Sequence, residues 1–463
     1  MKRRNFLKHA GAVVSAASLS AIPVWGYYDS RAEVDRVIAL DDAEGSDELD
    51  AKLAKPVTAI VIGAGNRGGV YSRYAARYPK SLQIVGVSDI NEFRRKNMAE
   101  RFNITKKYRF NDWSEVFEQP KFADAIILTT PDDLHYKPCM KALEMGYDVL
   151  LEKPVAQTEK ECIDILNQSR KYGRIVAVCH VLRYAPYFAE IKRLVASGAI
   201  GDIVSVQHFE AVEVEHMCHS FVRGNWRNSK LSNPMIVSKS CHDLDILRWI
   251  INKPCEQVTA FGGLRLFRSE NAPEGSTARC LDCKIVDRCA FSAQRIYLEK
   301  RKWATVFDFT STDEDVKTRE MKEKLRTNWY GRCVYRCDND QPDHYIMNMQ
   351  FADGVTASFS MEGLTSYGMR FTRLMGTEGD IVGDMSSFTL TEFLSGKKTR
   401  WEASGQDGHG GGDLRLARDF VSAVSTRDES KVTSSVEASI ESHVMGFRAE
   451  KARETGTVVG TKF

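Results

Sequence analysis

The 463-residue sequence lacks an excess of charge of either sign. Lys and Arg total 65 and Asp and Glu total 62, which leaves a formal charge of +3. This balance gives no signature of binding to nucleic acid or another polyanion. The sequence also lacks internal repeats, low-complexity tracts and apolar runs long enough to span a membrane. With 43% hydrophobic residues the chain can bury large cores, and we expect two or three domains.

The N-terminus carries a pattern typical of an exported protein. Arg3 and Arg4 precede an alanine-rich, mildly apolar run from Ala10 to Val24, which resembles a twin-arginine export signal. No clear Ala-x-Ala cleavage site follows, and a cytoplasmic extension or an uncleaved anchor would also fit. We interpret residues 1–26 as a twin-arginine signal peptide and expect a periplasmic protein. The acidic stretch 27–54 is interpreted as a solvated linker.

A glycine-rich turn follows the first strongly apolar segment. The β-branched run from Val57 to Ile62 opens directly into Gly63-x-Gly65-x-x-Gly68. In a dinucleotide-binding turn the first glycine makes the bend, the second lets a pyrophosphate approach, and the third brings the helix close to the strand. The pyrophosphate would lie at the helix N-terminus, where free N–H groups favour an anion.

An acid ends the next strand pattern. The run from Ile84 to Val87 leads to Asp89, which can accept hydrogen bonds from both ribose hydroxyls and would repel a 2′-phosphate. We therefore predict NAD rather than NADP, although Arg94 and Arg95 downstream would suit a phosphate.

Strand and helix patterns alternate up to the run from Ile175 to Cys179, and strands without intervening helices dominate afterwards. We predict an α/β Rossmann domain over 55–179 with a parallel doubly wound sheet, and an α+β domain over 180–463 with a large, mostly antiparallel sheet. Ligands of such parallel sheets collect at the carboxyl ends of the strands. The residues at those ends are Gly63, Asp89, Thr130, Lys153 and His180.

Three motifs together carry a family resemblance. They are the glycine turn from Gly63 to Gly68, Glu152-Lys153-Pro154, and Cys241-His242-Asp243-Leu244-Asp245. From Val57 to the C-terminus the chain resembles the glucose-fructose oxidoreductase, inositol dehydrogenase and rhizopine-catabolism family (Gfo/Idh/MocA). The resemblance implies NAD(P), hydride exchange with sugars or cyclitols, a C-terminal sheet that binds substrate and forms homo-oligomer contacts, and a cis Lys153-Pro154 peptide. The predicted cofactor contacts are Gly63, Gly65, Asn66, Arg67, Gly68, Asp89, Thr130, Pro131, Glu152 and Lys153.

Lys153 and His242 are the candidate catalytic groups. A lysine beside the nicotinamide can lower its pKa and relay a proton, and an imidazole can take the hydroxyl proton as hydride leaves. Members of the family usually carry an aspartate four positions before this histidine, and the chain has Ser238 there. His180 is a third candidate, with a structural role equally open.

Polar and aromatic residues of the second domain suit a carbohydrate, because polar groups pair with hydroxyls and an aromatic face covers C–H groups. The acids and histidines around His219 could instead bind a metal or form a solvated loop, and the glycine-rich loop of His409 could close over substrate or be a surface turn. The predicted substrate contacts are Arg183, Tyr184, His219, Trp226, Lys239, His242 and His409.

Cysteines cluster in a stretch that we interpret as an insertion over 270–340. Cys280, Cys283 and Cys289 with Cys333 would make a four-thiolate structural zinc site, although the second Cys-x-x-Cys pair of a complete knuckle is absent. Disulfides, which an oxidising compartment would favour, and unpaired thiols are the alternatives.

The leading hypothesis is an exported NAD-dependent oxidoreductase that acts on a sugar, glycoside or cyclitol hydroxyl. A closely related alternative is a redox-neutral glycosidase, in which transient oxidation permits elimination of the aglycone and is then reversed. Export favours this alternative, because no pool to recycle NADH is evident outside the cytoplasm, and a tightly held NAD would reconcile either chemistry with export. A noncatalytic sugar or nucleotide sensor is the third hypothesis.

Overall fold

The computed structural model describes residues 34–40, 49, 53–403 and 409–463. The segment interpreted as a signal peptide, 1–26, lies outside them, as does most of the stretch interpreted as a linker. One part of that stretch forms a strand: β1 (Arg36–Ala39), which is mostly exposed, adds in parallel to the edge of the second sheet, and Leu40 after it is buried.

The first sheet is the predicted Rossmann sheet. Its six strands are β2 (Val57–Ile62), β3 (Leu82–Ser88), β4 (Arg109–Phe110), β5 (Ala125–Leu128), β6 (Asp148–Leu151) and β7 (Val176–Val178). All pairs are parallel, in the order β4-β3-β2-β5-β6-β7. Val61 packs into the core on one face and Ile62 into the core on the other. Burial on both faces explains why β2 reads as a continuous apolar run.

Five helices connect these strands, so that the order is the βαβ order expected of a doubly wound sheet. They are α1 (Asn66–Arg77), α2 (Glu92–Arg101), α3 (Trp113–Val116), α4 (Tyr136–Glu144) and α5 (Glu159–Tyr172). Helix α5 begins at a capping Thr158, whose hydroxyl accepts from the Glu161 N–H, and ends at the left-handed Gly173.

The second sheet has ten strands and is mostly antiparallel, as predicted. Besides β1 they are β8 (Ile203–Val212), β9 (Cys255–Gly263), β10 (His344–Phe351), β11 (Thr356–Glu362), β12 (Gly368–Gly376), β13 (Gly379–Gly383), β14 (Ser387–Glu392), β15 (Lys398–Glu402) and β16 (Val459–Gly460). The order is β1-β15-β14-β13-β12-β8-β11-β10-β9-β16, and only the β1–β15 and β8–β11 pairs are parallel. Along β10 buried and exposed residues alternate, so one face of the sheet covers a core and the other is open.

Among the described residues, seven α-helices follow β7. They are α6 (Pro186–Ala196), α7 (Val214–His216), α8 (Met235–Ser238), α9 (Cys241–Ile251), α10 (Glu314–Thr327), α11 (Gly412–Thr426) and α12 (Val436–Thr455). Helix α10 and several short 3₁₀ turns lie in the long insertion between β9 and β10. Within the described residues no helix combines the length and apolar content needed to cross a bilayer.

The last two helices return to the first domain. Phe420 of α11 packs in the core on one face of the Rossmann sheet, and Ile440 of α12 packs in the core on the other. The sequence interpretation assigned both helices to the second domain, and α12 also packs in the core of that domain through Met445 and Ala449. This return brings residues 409–443 to the ends of β6 and β7.

Candidate active site

The glycine turn has the geometry of a dinucleotide site. Gly63 has φ +94°, and a Cβ there would lie 2.6 Å from the Thr129 carbonyl oxygen. A Cβ on Gly68 would lie 2.2 Å from the Gly63 carbonyl oxygen. Gly65 caps α1 without a side chain, so the first N–H groups of the helix are open to an anion. The turn therefore fits a pyrophosphate.

Asp89 is fixed beside this turn at the end of β3. Its Oδ2 accepts from the Ala64 N–H at 2.7 Å, and its Oδ1 accepts from the Asn91 N–H at 2.8 Å. Each carboxylate oxygen retains a lone pair for a ribose hydroxyl. The residues present thus fit the adenosine ribose of NAD.

Thr130 and Pro131 follow β5, and a buried histidine ties this loop to the end of β6. His135 contacts the Thr130 carbonyl through Nε2 at 2.9 Å and the Pro154 carbonyl through Nδ1 at 2.7 Å. The loop after β5 and the Lys153-Pro154 turn are therefore held at a fixed separation.

Arg67 and Glu152, both predicted as cofactor contacts, bind each other. Arg67 Nε donates to Glu152 Oε1 at 2.6 Å, and Arg67 Nη2 donates to Asp413 Oδ1 at 2.6 Å. Tyr71 donates to the same Glu152 oxygen at 2.9 Å. Burial alone would raise the pKa of Glu152, but Arg67 and Lys153 lower it, so the carboxylate stays charged. Arg67 thereby fastens the glycine turn both to the end of β6, through Glu152, and to α11, through Asp413.

Lys153 reaches across to the second domain. The Lys153-Pro154 peptide is cis, as the resemblance implied. Lys153 Nζ donates to the Ser238 carbonyl oxygen at 2.8 Å. Ser238 ends α8, and His242 lies in the first turn of α9. The ammonium of Lys153 and the imidazole of His242 therefore approach each other from the two domains, and we call the space at this junction the cleft.

Four histidine rings form a continuous cluster in this cleft. His242 lies 5.9 Å from His180 and 5.8 Å from His409 between ring centroids, and His180 lies 5.3 Å from His443. His443 accepts from the Val155 N–H through Nε2 at 3.0 Å, which fixes its ring against the turn that carries Lys153.

The electrostatics keep the central imidazoles neutral. Burial, followed by the positive charge of Lys153 and the neighbouring His409, holds the pKa of His242 well below its usual range. Burial likewise lowers the pKa of His180. His242 Nδ1 and both ring nitrogens of His180 are buried without a hydrogen-bond partner among the described residues. The cleft thus offers neutral proton acceptors next to an ammonium group.

Trp226, a predicted substrate contact, lies on the Lys153 side of the cleft. Its indole Nε1 donates to Asp132 Oδ1 at 3.1 Å, and Asn233 donates to the other carboxylate oxygen at 3.3 Å. Burial raises the pKa of Asp132, against the opposing charges of His135 and Lys153.

Lys239 belongs to a buried charge network behind the first turn of α9. It forms an ion pair with Glu210, which also binds Arg370 at 2.6 Å. Arg370 binds Asp243 at 2.6 Å, and His208 contacts the same carboxylate at 2.8 Å. The network immobilises Asp243, the residue that follows His242. Lys239 therefore supports the position of His242 through this network.

Three predicted substrate contacts lie away from the cleft opening. Arg183 is buried and donates to both oxygens of Asp245, at 2.7 and 2.6 Å. The Tyr184 hydroxyl is buried against Ser434 at 2.8 Å. The contacts of these side chains are structural.

His219 is the third predicted substrate contact that lies away from the cleft opening. Its ring is stacked between Trp303 at 4.7 Å and Tyr330 at 4.9 Å. Its Nδ1 contacts the Tyr297 hydroxyl at 2.8 Å, and burial lowers its pKa to about 3. His219 therefore packs against the core of the insertion.

The sequence reasoning missed several residues of this site. Asp413, which joins Arg67 to His409 through contacts of 2.6 and 3.2 Å, follows the glycine-rich loop of His409, and His443 lies in α12, but neither was given a role. Asp132 and Arg370 had no recognisable signal, because each contact joins residues far apart in the chain.

The cysteine cluster forms neither a metal site nor disulfides. All 11 cysteines lie in the described part of the chain and are free thiols. Within that part, no three Cys, His, Asp or Glu side chains are placed to hold a metal ion. The predicted zinc ligands Cys280, Cys283, Cys289 and Cys333 line a cavity of about 20 Å³ without converging on one point. Burial raises the pKa of Cys289 and Cys333, which favours the thiol form.

The glycine turn, the ribose acid and the lysine at the end of β6 define a nicotinamide-dependent Rossmann oxidoreductase. The sequence matches the oxidoreductase family model for the NAD-binding Rossmann fold over residues 57–180. It also matches the model for the C-terminal alpha/beta domain of the same family over residues 192–461. The chain therefore belongs to the Gfo/Idh/MocA family and is an NAD-dependent oxidoreductase of that family.

Curated relatives agree with this assignment. The chain is 25% identical over 373 residues to YteT of Bacillus subtilis strain 168, which is named as an oxidoreductase; the match covers 74% of this chain and 83% of that protein. It is 22% identical to an inositol 2-dehydrogenase/D-chiro-inositol 3-dehydrogenase of Lactiplantibacillus plantarum, over 49% of this chain and 59% of that protein. The match to the second relative thus spans little more than half of its length.

Solved structures share the fold. An inositol dehydrogenase homolog from Azotobacter vinelandii, complexed with NAD+, superposes with a TM-score of 0.65 at 15% identity, over 88% of this chain and 98% of that one. An apo scyllo-inositol dehydrogenase from Lactobacillus casei gives a TM-score of 0.62 at 15% identity, over 88% and 99%. At these identities the likeness concerns the fold alone.

Proposed function

We propose that this protein transfers hydride between NAD and a secondary hydroxyl carbon of a cyclitol or sugar, with Lys153 and His242 handling the hydroxyl proton. The observation that carries the proposal is their approach to one cleft: Lys153 Nζ is held by the Ser238 carbonyl, four residues before His242. The other parts of the site, from the glycine turn to Asp89, fit the dinucleotide.

The protein groups divide the proton chemistry between them. When bound, NAD supplies the hydride acceptor. His242 is neutral at physiological pH because burial and the Lys153 charge lower its pKa, so its imidazole can accept the hydroxyl proton. The Lys153 ammonium can hydrogen-bond the substrate oxygen and stabilise the negative charge that develops on it.

The exchange of the family's usual aspartate for Ser238 fits this division. Ser238 cannot accept a proton as a carboxylate does, and its backbone oxygen instead positions Lys153 at 2.8 Å. The neighbours of His242 are imidazoles, with His180 and His409 both within 6 Å between ring centroids. We propose that this histidine cluster disperses the proton that the aspartate would otherwise hold.

The substrate class is supported by residues at the cleft and by the relatives. Trp226 offers an apolar face next to Asp132, a combination that suits a ring with C–H and hydroxyl groups. Several curated relatives are named inositol 2-dehydrogenases, which favours a cyclitol or a related sugar.

The test is an assay of purified protein with NAD+ against myo-inositol, scyllo-inositol, glucose and p-nitrophenyl glycosides. We expect NADH formation with at least one polyol or sugar. Nitrophenol release without net NADH would replace the proposal by the redox-neutral glycosidase, since oxidation would then be transient. Sugar binding without either signal would replace it by a sensor.

Two further proposals concern location and assembly. We propose that Arg3 and Arg4 direct export through the twin-arginine pathway, so that Lys-Lys at these positions would leave the protein in the cytoplasm on fractionation. We also propose that the open face of the second sheet binds a second copy of the chain. Large apolar side chains on that sheet are exposed, among them Phe261 at 55% and Ile346 at 49%.

A further inference from the structure

Arg94 and Arg95 follow Asp89, the acid expected to bind the ribose. Both arginines form hydrogen bonds within the protein. Arg95 Nη1 donates to the Asp89 carbonyl oxygen at 2.5 Å. Arg94 donates to both oxygens of Asp308, from Nε at 2.9 Å and from Nη2 at 3.1 Å. This two-point geometry matches the fork of a guanidinium to a carboxylate, the same fork that binds phosphate.

Arg94 lies where a 2′-phosphate of NADP would be read. A Cβ on Gly65 would be 3.6 Å from Arg94 Nη1, so the guanidinium borders the glycine turn. Asn91 donates its backbone N–H to Asp89 at 2.8 Å and its side-chain amide to Asp308 Oδ2 at 2.9 Å. Asn91 therefore bridges Asp89 and Asp308. The two carboxylates lie at the same end of the nucleotide groove, which the glycine turn and the end of β3 form.

Asp308 reaches this position from the insertion of the second domain. It lies between a 3₁₀ turn, Ala304–Phe307, and α10, with φ +47°. Lys324 of α10 donates to its carbonyl oxygen at 3.0 Å, which fixes the backbone. The side chain of Asp308 is 23% exposed and that of Arg94 is 36% exposed, so the pair is accessible to a bound nucleotide.

We infer that Asp308 is a second determinant of NAD selectivity, because its carboxylate occupies the Arg94 fork that would otherwise bind a 2′-phosphate. The inference deepens the proposed function and depends on NAD binding at this groove. The negative charge of Asp89 repels the 2′-phosphate directly. Asp308 instead binds the Arg94 guanidinium, which would otherwise attract that phosphate. The insertion thus takes part in cofactor choice although it lies in the second domain.

The test compares Asp308→Asn with a matched control, Asp287→Asn. Asparagine tolerates the left-handed backbone of residue 308, so this variant preserves the local fold. Asp287 is an exposed aspartate of the same insertion, and its change removes the same charge. Nucleotide-free protein is titrated with NAD+ and with NADP+ by calorimetry.

We expect Asp308→Asn to tighten NADP+ binding roughly tenfold, as one charge-assisted contact to phosphate is gained, and to change NAD+ binding by less than about threefold. Adding Arg94→Ala to Asp308→Asn should abolish the gain. An NADP+ affinity that changes no more than in Asp287→Asn would overturn the inference, and so would a gain that persists without Arg94.

The same titrations separate this inference from the proposed function. Wild-type protein that binds neither nucleotide would refute NAD binding itself. Wild-type protein that binds NAD+, with Asp308→Asn leaving NADP+ binding unchanged, would refute only the role of Asp308.

Discussion

Replacement of Lys153 by alanine tests the central feature of the site. The change removes the ammonium that the Ser238 carbonyl holds at 2.8 Å and leaves the glycine turn and Asp89 in place. General acid–base groups contribute roughly 10²- to 10⁴-fold, so the rate of hydride transfer should fall by that factor, equivalent to about 3 to 5 kcal/mol. NAD+ affinity should change by less than about threefold, because the pyrophosphate and ribose contacts are intact.

Lys153→Ala should also change the pH dependence of the rate. In the wild type the Lys153 charge helps to lower the pKa of His242, so its neutral, proton-accepting form persists to low pH. Without that charge the pKa of His242 rises. A rate that requires neutral His242 is lost as pH falls through this pKa, so the acidic limb of the residual rate should move to higher pH.

The measurement is single-turnover NADH absorbance with the best substrate of the panel, over a range of pH. Lys160→Ala is the matched control, because the Lys160 side chain is 83% exposed and forms only a surface ion pair with Asp164. A Lys153→Ala rate equal to that of Lys160→Ala would refute the reasoning. An acidic limb that does not move would show that Lys153 does not act on His242.

Three further changes test separate features. Arg183→Met should destabilise the fold by about 3 to 5 kcal/mol in urea unfolding, because buried Asp245 loses both contacts; a smaller loss than about 1 kcal/mol would contradict the structural role. Gly63→Ala should weaken NAD+ binding roughly tenfold or more in calorimetry, since its Cβ would lie 2.6 Å from the Thr129 oxygen, and unchanged affinity would refute the tight turn. Ile346→Glu should convert an oligomer to a monomer in light scattering while the circular dichroism spectrum stays that of a folded chain, and an unchanged mass would exclude the open sheet face as the contact.

Local patterns predicted the Rossmann domain well. Strand β2 has the bounds expected from the sequence, at Val57–Ile62, and the strands and helices that follow it alternate as predicted. The strand combines a continuous apolar run with a glycine turn at its end, so the signal is contained within the segment.

The second domain was predicted less completely. Its antiparallel character was confirmed, but β1, β13, β15 and β16 were not recognised from the sequence. Strand β13 contains two glycines in five residues, and β15 is rich in charged residues. Such segments form strands because neighbouring strands pair with them, which a local pattern does not record.

The sequence by itself determined the cofactor turn, the acid after β3, and the pairing of Lys153 with His242 as candidates, because each lies in a short motif whose residue types carry the chemistry. Tertiary structure alone placed Arg183 and His219 in the core, brought His180, His409 and His443 around His242, and set Asp308 on Arg94. These contacts join residues that are distant in the chain. Burial and charge neighbours, which decide whether a polar residue reacts or only supports, arise only when the two domains fold against each other.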